Sequence, residues 1–209
     1  MFIEPHLRDK TTMPWDPFKA LIVPRPVGWV STMNKAGEVN LAPFSFFNAF
    51  STVPPIIGFC GEGRKDSIVF AEEGREFVWN MATYDLRFKM NETSAPLPRG
   101  ESEFVHAGLA TAPSRLVRPP RVAASPAAME AKVLDIIQLH NLEGEKVARF
   151  LVLGQVVGIY VDDRFVVDGI IQIAQMRPIA RLGYQDYAVV DEVFPLVRPA
   201  GGGNIAGGG

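Results

Sequence analysis

The chain is poor in the residues from which self-sufficient active sites are built. Its 209 residues include one cysteine, Cys60, so an internal disulfide is excluded. That thiol lies among apolar neighbours, Ile56-Ile57-Gly58-Phe59, and is expected as a buried strand residue rather than a reactive one. The three histidines, His6, His106 and His140, are isolated, and none pairs with Cys, Asp or Glu at a metal-ligand spacing. There is no GxSxG nucleophile elbow and no glycine fingerprint between a strand and a helix, which argues against a Rossmann domain. No apolar run is long enough to span a bilayer. The first ten residues have mixed charge and no apolar h-region, so no signal peptide is expected and a cytoplasmic protein is the default. A formal net charge of -2 supplies no basic field for nucleic acid or an anionic membrane. Without an evident acid, base, nucleophile or metal, catalysis here would use a borrowed cofactor.

What is present is an ordinary globular composition, 47% hydrophobic and 21% charged, sized for one core. One segment stands apart: Pro43-Phe44-Ser45-Phe46-Phe47-Asn48-Ala49-Phe50-Ser51-Thr52-Val53-Pro54-Pro55. It interleaves flat rings with short hydrogen-bonding groups. An ordinary core strand and turn would account for this composition. So would a surface for a flat heteroaromatic ligand, which needs stacking area and polar edge contacts together.

The rest of the chain reads mainly as strands. Residues 1–16 form an arm expected to pack down through Trp15. Val27 to Ala42 reads as a hairpin around Asn34-Lys35-Ala36-Gly37-Glu38. Ile56–Cys60 and Glu76–Met81 are strands, and Asp66 to about Glu73 is a helix with Asp66 as N-cap and Gly74 as its end. Short helices are expected over 85–92 and 102–109. The proline-rich stretch 110–128 should run over the surface or as edge strand. Met129–His140 reads as a strand despite helical propensity at its start. Phe150–Val161 is the strongest strand signal, and its internal glycines suggest a bulge. Residues 166–174 continue after a turn, and the glycine-rich tail 200–209 is flexible by composition. Hairpins without regular βαβ alternation argue for one mainly antiparallel barrel with helical insertions.

A second constellation is Arg64-Lys65-Asp66-Ser67. Two cations precede a helix whose first N–H groups lack intrahelical partners, and the helix end carries about half a positive charge. This is either an anion site suited to phosphate or a solvated basic turn with an ordinary cap.

Taken in order, Pro24-Arg25-Pro26-Val27-Gly28-Trp29-Val30-Ser31-Thr32, then Asn40-Leu41-Ala42-Pro43-Phe44-Ser45-Phe46-Phe47-Asn48, Ser51 with Pro54-Pro55, and Arg64-Lys65-Asp66-Ser67 resemble the flavin reductase family. This is the FMN-binding split-barrel group that includes flavoredoxins and reductase components of two-component monooxygenases. Arg181-Leu182-Gly183-Tyr184-Gln185-Asp186-Tyr187 resembles its C-terminal element, with Tyr184 where a second glycine is common.

The resemblance implies a six-stranded Greek-key split barrel, a homodimer, and one flavin per subunit near the interface. It places Ser31 and Thr32 beside the flavin. The Ala42–Asn48 segment, with Ser45, Phe46, Phe47 and Asn48, lies along the isoalloxazine ring, Arg64, Lys65 and Ser67 hold the phosphate, and Asn40 and Asp66 are further implied cofactor-binding residues. Arg181 and Tyr187 lie near the pocket. The implied cofactor is FMN, with FAD possible, and NAD(P)H is the implied cosubstrate. The expected activity is hydride transfer to flavin N5 with no catalytic side chain and no metal. An electron carrier like flavoredoxin, or a non-enzymatic flavin-binding protein, is the alternative. An oxygenase or electron-transfer partner is compatible with either.

Overall fold

Prolines and glycines cut the N-terminal half into short elements that pair with their neighbours. The computed structural model describes residues 1–98, 100–197 and 199; the glycine-rich tail lies outside them. Helix α1 (Pro17–Leu21) opens with a proline at its first position, where the missing N–H costs nothing. Asp16 caps it by accepting from the Phe18 N–H. Strand β1 (Arg25–Pro26) follows, then β2 (Gly28–Met33) and β3 (Val39–Phe44), the expected hairpin. The aromatic stretch divides into the end of β3, a bend, and β4 (Phe47–Thr52), which pairs with β5 (Pro55–Glu62).

Helix α2 (Asp66–Gly74) and β6 (Glu76–Asn80) come next. The helix begins and ends one residue away from expectation. Lys65, extended at φ -75° and ψ 170°, is the N-cap, and Asp66 is already helical. Gly74 stays inside the helix and Arg75 takes the left-handed conformation, φ 58°. Gly74 answers a close approach instead: a Cβ there would lie 2.2 Å from the Met33 carbonyl oxygen. Helices α3 (Arg87–Glu92) and α4 (Glu103–His106) are shorter than expected. Between them and the long strands, β7 (Thr111–Ala112) pairs with β8 (Arg121–Val122). This proline-rich stretch is not purely superficial, because Val117 and Val122 are buried.

Strands β9 (Ala127–His140) and β10 (Lys146–Val161) form the longest ladder, so tertiary pairing overrides the local helical propensity of Ala127-Ala128-Met129. Register shifts fall at Leu153/Gly154 and Val156/Gly158, where the internal glycines predicted a bulge. A small hairpin of β11 (Val166–Val167) and β12 (Ile170–Ile171), helix α5 (Ile173–Met176), and the pair β13 (Ile179–Arg181) and β14 (Tyr187–Val189) complete the chain.

Seven strands, one more than the six the resemblance implied, form one antiparallel sheet in the order β3-β2-β6-β9-β10-β5-β4, with β4 as an edge strand. A second sheet, β1-β13-β14, lies beside it. Strand β2 is buried on both faces. Val30 faces a core with Ile57, Phe59, Ile68, Phe77 and Val152, while Trp29 joins Leu41, Met90, Phe104 and Val122 in another. Edge strand β3 and β5, the strand next to the other edge, approach where the Phe44 and Phe59 ring centroids lie 4.7 Å apart. Trp15 does not anchor the arm in the core, since its side chain is largely exposed. Among the described residues no helix is long and apolar enough to cross a membrane.

Candidate functional site

A cleft of about 610 Å³ opens along β3 and the bend that follows it, against the start of α2. Asn40, Ala42, Pro43, Phe44, Ser45 and Phe46 form one wall, and Lys65, Asp66, Ser67 and Ile68 form the other. The Cys60–Glu62 end of β5, the Thr93–Leu97 segment and Glu103 complete the lining. The volume lies within the range of small-molecule sites. The two constellations read from the sequence therefore meet in one cavity.

Its polar end is built on a buried network. The Asn40 amide donates to Glu103 at 2.8 Å and its carbonyl accepts from the Ser67 hydroxyl at 2.5 Å. The Leu41 N–H donates to the other Glu103 oxygen at 2.9 Å. Burial pushes the Glu103 carboxyl above its ordinary range, against the lowering effect of these donors, and the Asp66 charge pushes the same way. The N-cap of α2 is a lysine, which cannot accept, so no cap side chain covers the first-turn N–H groups. The Lys65 ammonium makes no ion pair among the described residues. The uncapped first turn, the Lys65 ammonium and the positive helix end give this corner a positive field, beside which the Asp66 side chain also lines the cleft.

The structure separates the remaining predicted residues from this cleft. Ser31 is fully buried, its hydroxyl donating to the Pro120 carbonyl at 2.5 Å. Thr32 is also fully buried; it sits opposite Asn40 in the ladder, and its hydroxyl has no partner among the described residues. Strand alternation could not reveal this, because both faces of β2 are covered. Phe47 turns into the barrel and stacks on Trp79 at 5.7 Å. The Asn48 side chain accepts from the next backbone N–H, on an exposed edge. Arg64 pairs with Glu72 and lies over the Phe150 ring rather than lining the cleft. Arg181 and Tyr187 line a different, adjoining cleft.

Sequence reasoning missed Glu103, Cys60 and the Thr93–Leu97 wall. Glu103 was read only as part of a short helix, and nothing in its neighbours signals that α4 aims it at β3. Cys60 is half-buried and lines the cleft rather than being sealed in a core. Burial pushes its thiol above the ordinary value, which keeps it neutral. His106 lies 3.7 Å from Glu92, His6 lies 4.0 Å from Glu4, and His140 contacts the Asn141 carbonyl; none lines the cleft.

A family profile described as "Flavin reductase like domain" matches residues 20–170. The chain belongs to that family. An uncharacterized protein of Halalkalibacterium halodurans, BH2278, is 39% identical over 184 residues, covering 85% of this chain and 87% of the relative. The flavin reductase-like fold is shared with nitrilotriacetate monooxygenase component B from Bacillus cereus. The likeness has a TM-score of 0.85 at 32% identity and covers 94% of this chain and 98% of that one. Flavoredoxin of Desulfovibrio vulgaris superposes with a TM-score of 0.77 at 19% identity, over 96% of this chain and 100% of that one, a likeness of fold. The cleft residues Asn40–Phe46 and Lys65–Ile68 all fall inside the matched flavin reductase-like segment.

Proposed function

We propose that this protein binds FMN without a covalent bond and acts as an NAD(P)H-dependent flavin reductase. One observation carries the reading. In a chain of the flavin reductase-like family, the aromatic-polar segment Ala42–Phe46 and the lysine-capped start of α2 line the same 610 Å³ cleft. Lys65 and the first N–H groups of α2 would hold the phosphate, with the Ser67 hydroxyl bonded to Asn40 behind them. Ala42, Ser45 and Phe46 would border the ring system. A bound flavin supplies the hydride acceptor itself.

The protein's part is then to orient, to exclude water and to leave one ring face open. The Glu103–Asn40–Ser67 chain fixes the phosphate end, because each member is held by the next. No side chain is assigned as obligatory acid or base, and the neutral Cys60 thiol is a wall rather than a nucleophile. Ser45 borders both this cleft and the adjoining one, where a nicotinamide could approach.

A homodimer belongs to the same proposal. Edge strand β4 and its flanks expose Phe46, Phe50 and Val53, and Val193, Phe194, Leu196 and Val197 are exposed outside any strand. A second copy on the β4 edge would cover Phe46 and so close the flavin cleft. Titration calorimetry tests the binding step. FMN should bind at micromolar concentration, riboflavin more weakly, and failure of both at tens of micromolar would remove the proposal.

A further inference from the structure

The buried chain behind the start of α2 has a direction. The Ser67 hydroxyl donates to the Asn40 carbonyl at 2.5 Å, and the Asn40 amide donates to Glu103 Oε1 at 2.8 Å. The Leu41 N–H donates to the other carboxylate oxygen, Oε2, at 2.9 Å. An ionised carboxylate can only accept, whereas a primary amide has one donating and one accepting end. The charge on Glu103 therefore dictates which way the Asn40 amide faces, and the amide dictates where the Ser67 proton goes. With Glu103 ionised, that proton is committed to Asn40, although Ser67 lines the cleft.

The chain is built to turn round as a unit. Glu103, Asn40 and Ser67 are all buried, so none can satisfy itself from bulk solvent and each must follow its neighbour. The two ends of a primary amide are nearly equal in size. A half-turn of the Asn40 amide thus exchanges donor for acceptor while its neighbours stay in place. The Leu41 N–H occupies Oε2 in either arrangement, which leaves Oε1 as the oxygen to protonate. Thr32 stands opposite Asn40 in the ladder, fully buried, and its hydroxyl has no partner among the described residues. The surroundings of the amide therefore keep bonding capacity to spare.

The charges around Glu103 come from several elements. The start of α2 brings Lys65 and Asp66 to the same cleft, β5 brings Glu62 and the neutral Cys60, and β3 brings no charge. Glu62 is paired with Arg149 at 3.0 Å. On α4 itself His106 lies 3.7 Å from Glu92, and on α3 Lys89 donates to the Gly108 carbonyl. Burial, and with it the Asp66 charge, favours the protonated carboxyl. An anion arriving beside Lys65 acts in the same sense as Asp66.

We propose that Glu103 and Asn40 are positioning residues that set whether Ser67 donates into the cleft. When Glu103 takes a proton at Oε1, its O–H donates to the Asn40 carbonyl, the Asn40 N–H donates to Ser67 Oγ, and the Ser67 hydroxyl donates to the ligand's phosphate. One proton enters from solvent, the two internal hydrogen bonds reverse, and the only covalent bond formed is the new O–H. The phosphate gains a donor and no longer faces a buried negative charge, so protonation and phosphate binding favour each other. That the phosphate belongs to FMN rests on the proposed function; the reversal itself does not.

The test is made on the full-length protein in two ways. Carbon-13 NMR of the Glu103 carboxyl, identified by its loss in Glu103→Gln, follows the titration without flavin and then with inorganic phosphate. Phosphate should raise the midpoint in the native chain and raise it less in Ser67→Ala. Calorimetric titration with FMN, in buffers of different ionisation enthalpy, counts the protons taken up on binding. The native chain should take up more protons per FMN than either Glu103→Gln or Ser67→Ala. At a pH where Glu103 is ionised, Glu103→Gln, whose amide can donate permanently to Asn40, should bind FMN at least about tenfold more tightly than the native chain, with riboflavin unchanged. Adding Ser67→Ala should remove most of that gain. A midpoint indifferent to phosphate, equal proton uptake in the native chain and Ser67→Ala, or a gain that survives Ser67→Ala in full would overturn the proposal. Should Glu103→Gln fail to fold, the proton count in Ser67→Ala decides. FMN that fails to bind removes the proposed function alone, because the phosphate titration needs no flavin.

Discussion

The Asn40 amide donates to the buried carboxylate of Glu103 at 2.8 Å, joining β3 to α4 across 63 residues of sequence. Burial holds that carboxyl above its ordinary value of 4.5. The folded protein therefore binds a proton at Glu103 more readily than the unfolded chain does. The resulting stabilisation is fully present below the unfolded value and is lost as pH rises through the folded value. The stability of the native chain relative to Glu103→Gln should thus fall as pH rises above the ordinary value of 4.5. Denaturant midpoints of both proteins from that pH upward check this, and a difference that stays flat or rises would contradict it.

Lys65 and Arg64 should separate in function despite being adjacent. Lys65 lines the cleft without an ion pair among the described residues, whereas Arg64 is engaged with Glu72. Lys65→Ala should weaken FMN binding by about 1.5–3 kcal/mol while leaving riboflavin nearly unchanged. Arg64→Ala should cost well under about 1 kcal/mol, as expected for an exposed pair. Parallel calorimetric titrations with the two flavins read both effects.

Gly28 is the contact through which β2 meets the aromatic segment. A Cβ there would lie 2.7 Å from the Phe47 Cβ, and Phe47 is itself stacked on Trp79. Gly28→Ala should destabilise by about 1–3 kcal/mol through overpacking. The melting temperature should drop by about 2–4 °C per kcal/mol.

These residues also mark how far the sequence could be read. The hairpin of β2 and β3 and the bulged β10 were legible because their signals are local: alternation, turn residues and internal glycines. The lysine at the start of α2 was legible because helix ends have a chemistry of their own. Ser31, Thr32 and Phe47 were placed at the flavin by resemblance, yet they face cores that strand pattern alone cannot assign when both faces are buried. That Arg25 stands opposite Arg181 in the β1–β13 ladder was invisible, because a ladder between residues 156 apart is a fact of tertiary register.

The proposed homodimer makes β4 a functional edge. Light scattering of the full chain should report twice the monomer mass. Phe50→Glu, at an exposed position on β4, should yield a monomer with weaker flavin affinity. A native chain that is monomeric with full flavin occupancy would contradict the dimer.

The central claim is that a flavin held in the Asn40–Ser67 cleft takes a hydride from a nicotinamide without help from a protein acid or base. Anaerobic rapid mixing of the FMN-loaded protein with NADH, and separately with NADPH, tests this most directly. The account predicts that at least one donor bleaches the flavin's visible absorbance within a single turnover time, and that His106→Ala and His140→Ala change the rate by less than about tenfold, roughly 1.4 kcal/mol of barrier. If neither donor bleaches a flavin that a chemical reductant readily reduces, the protein is not a nicotinamide-dependent flavin reductase.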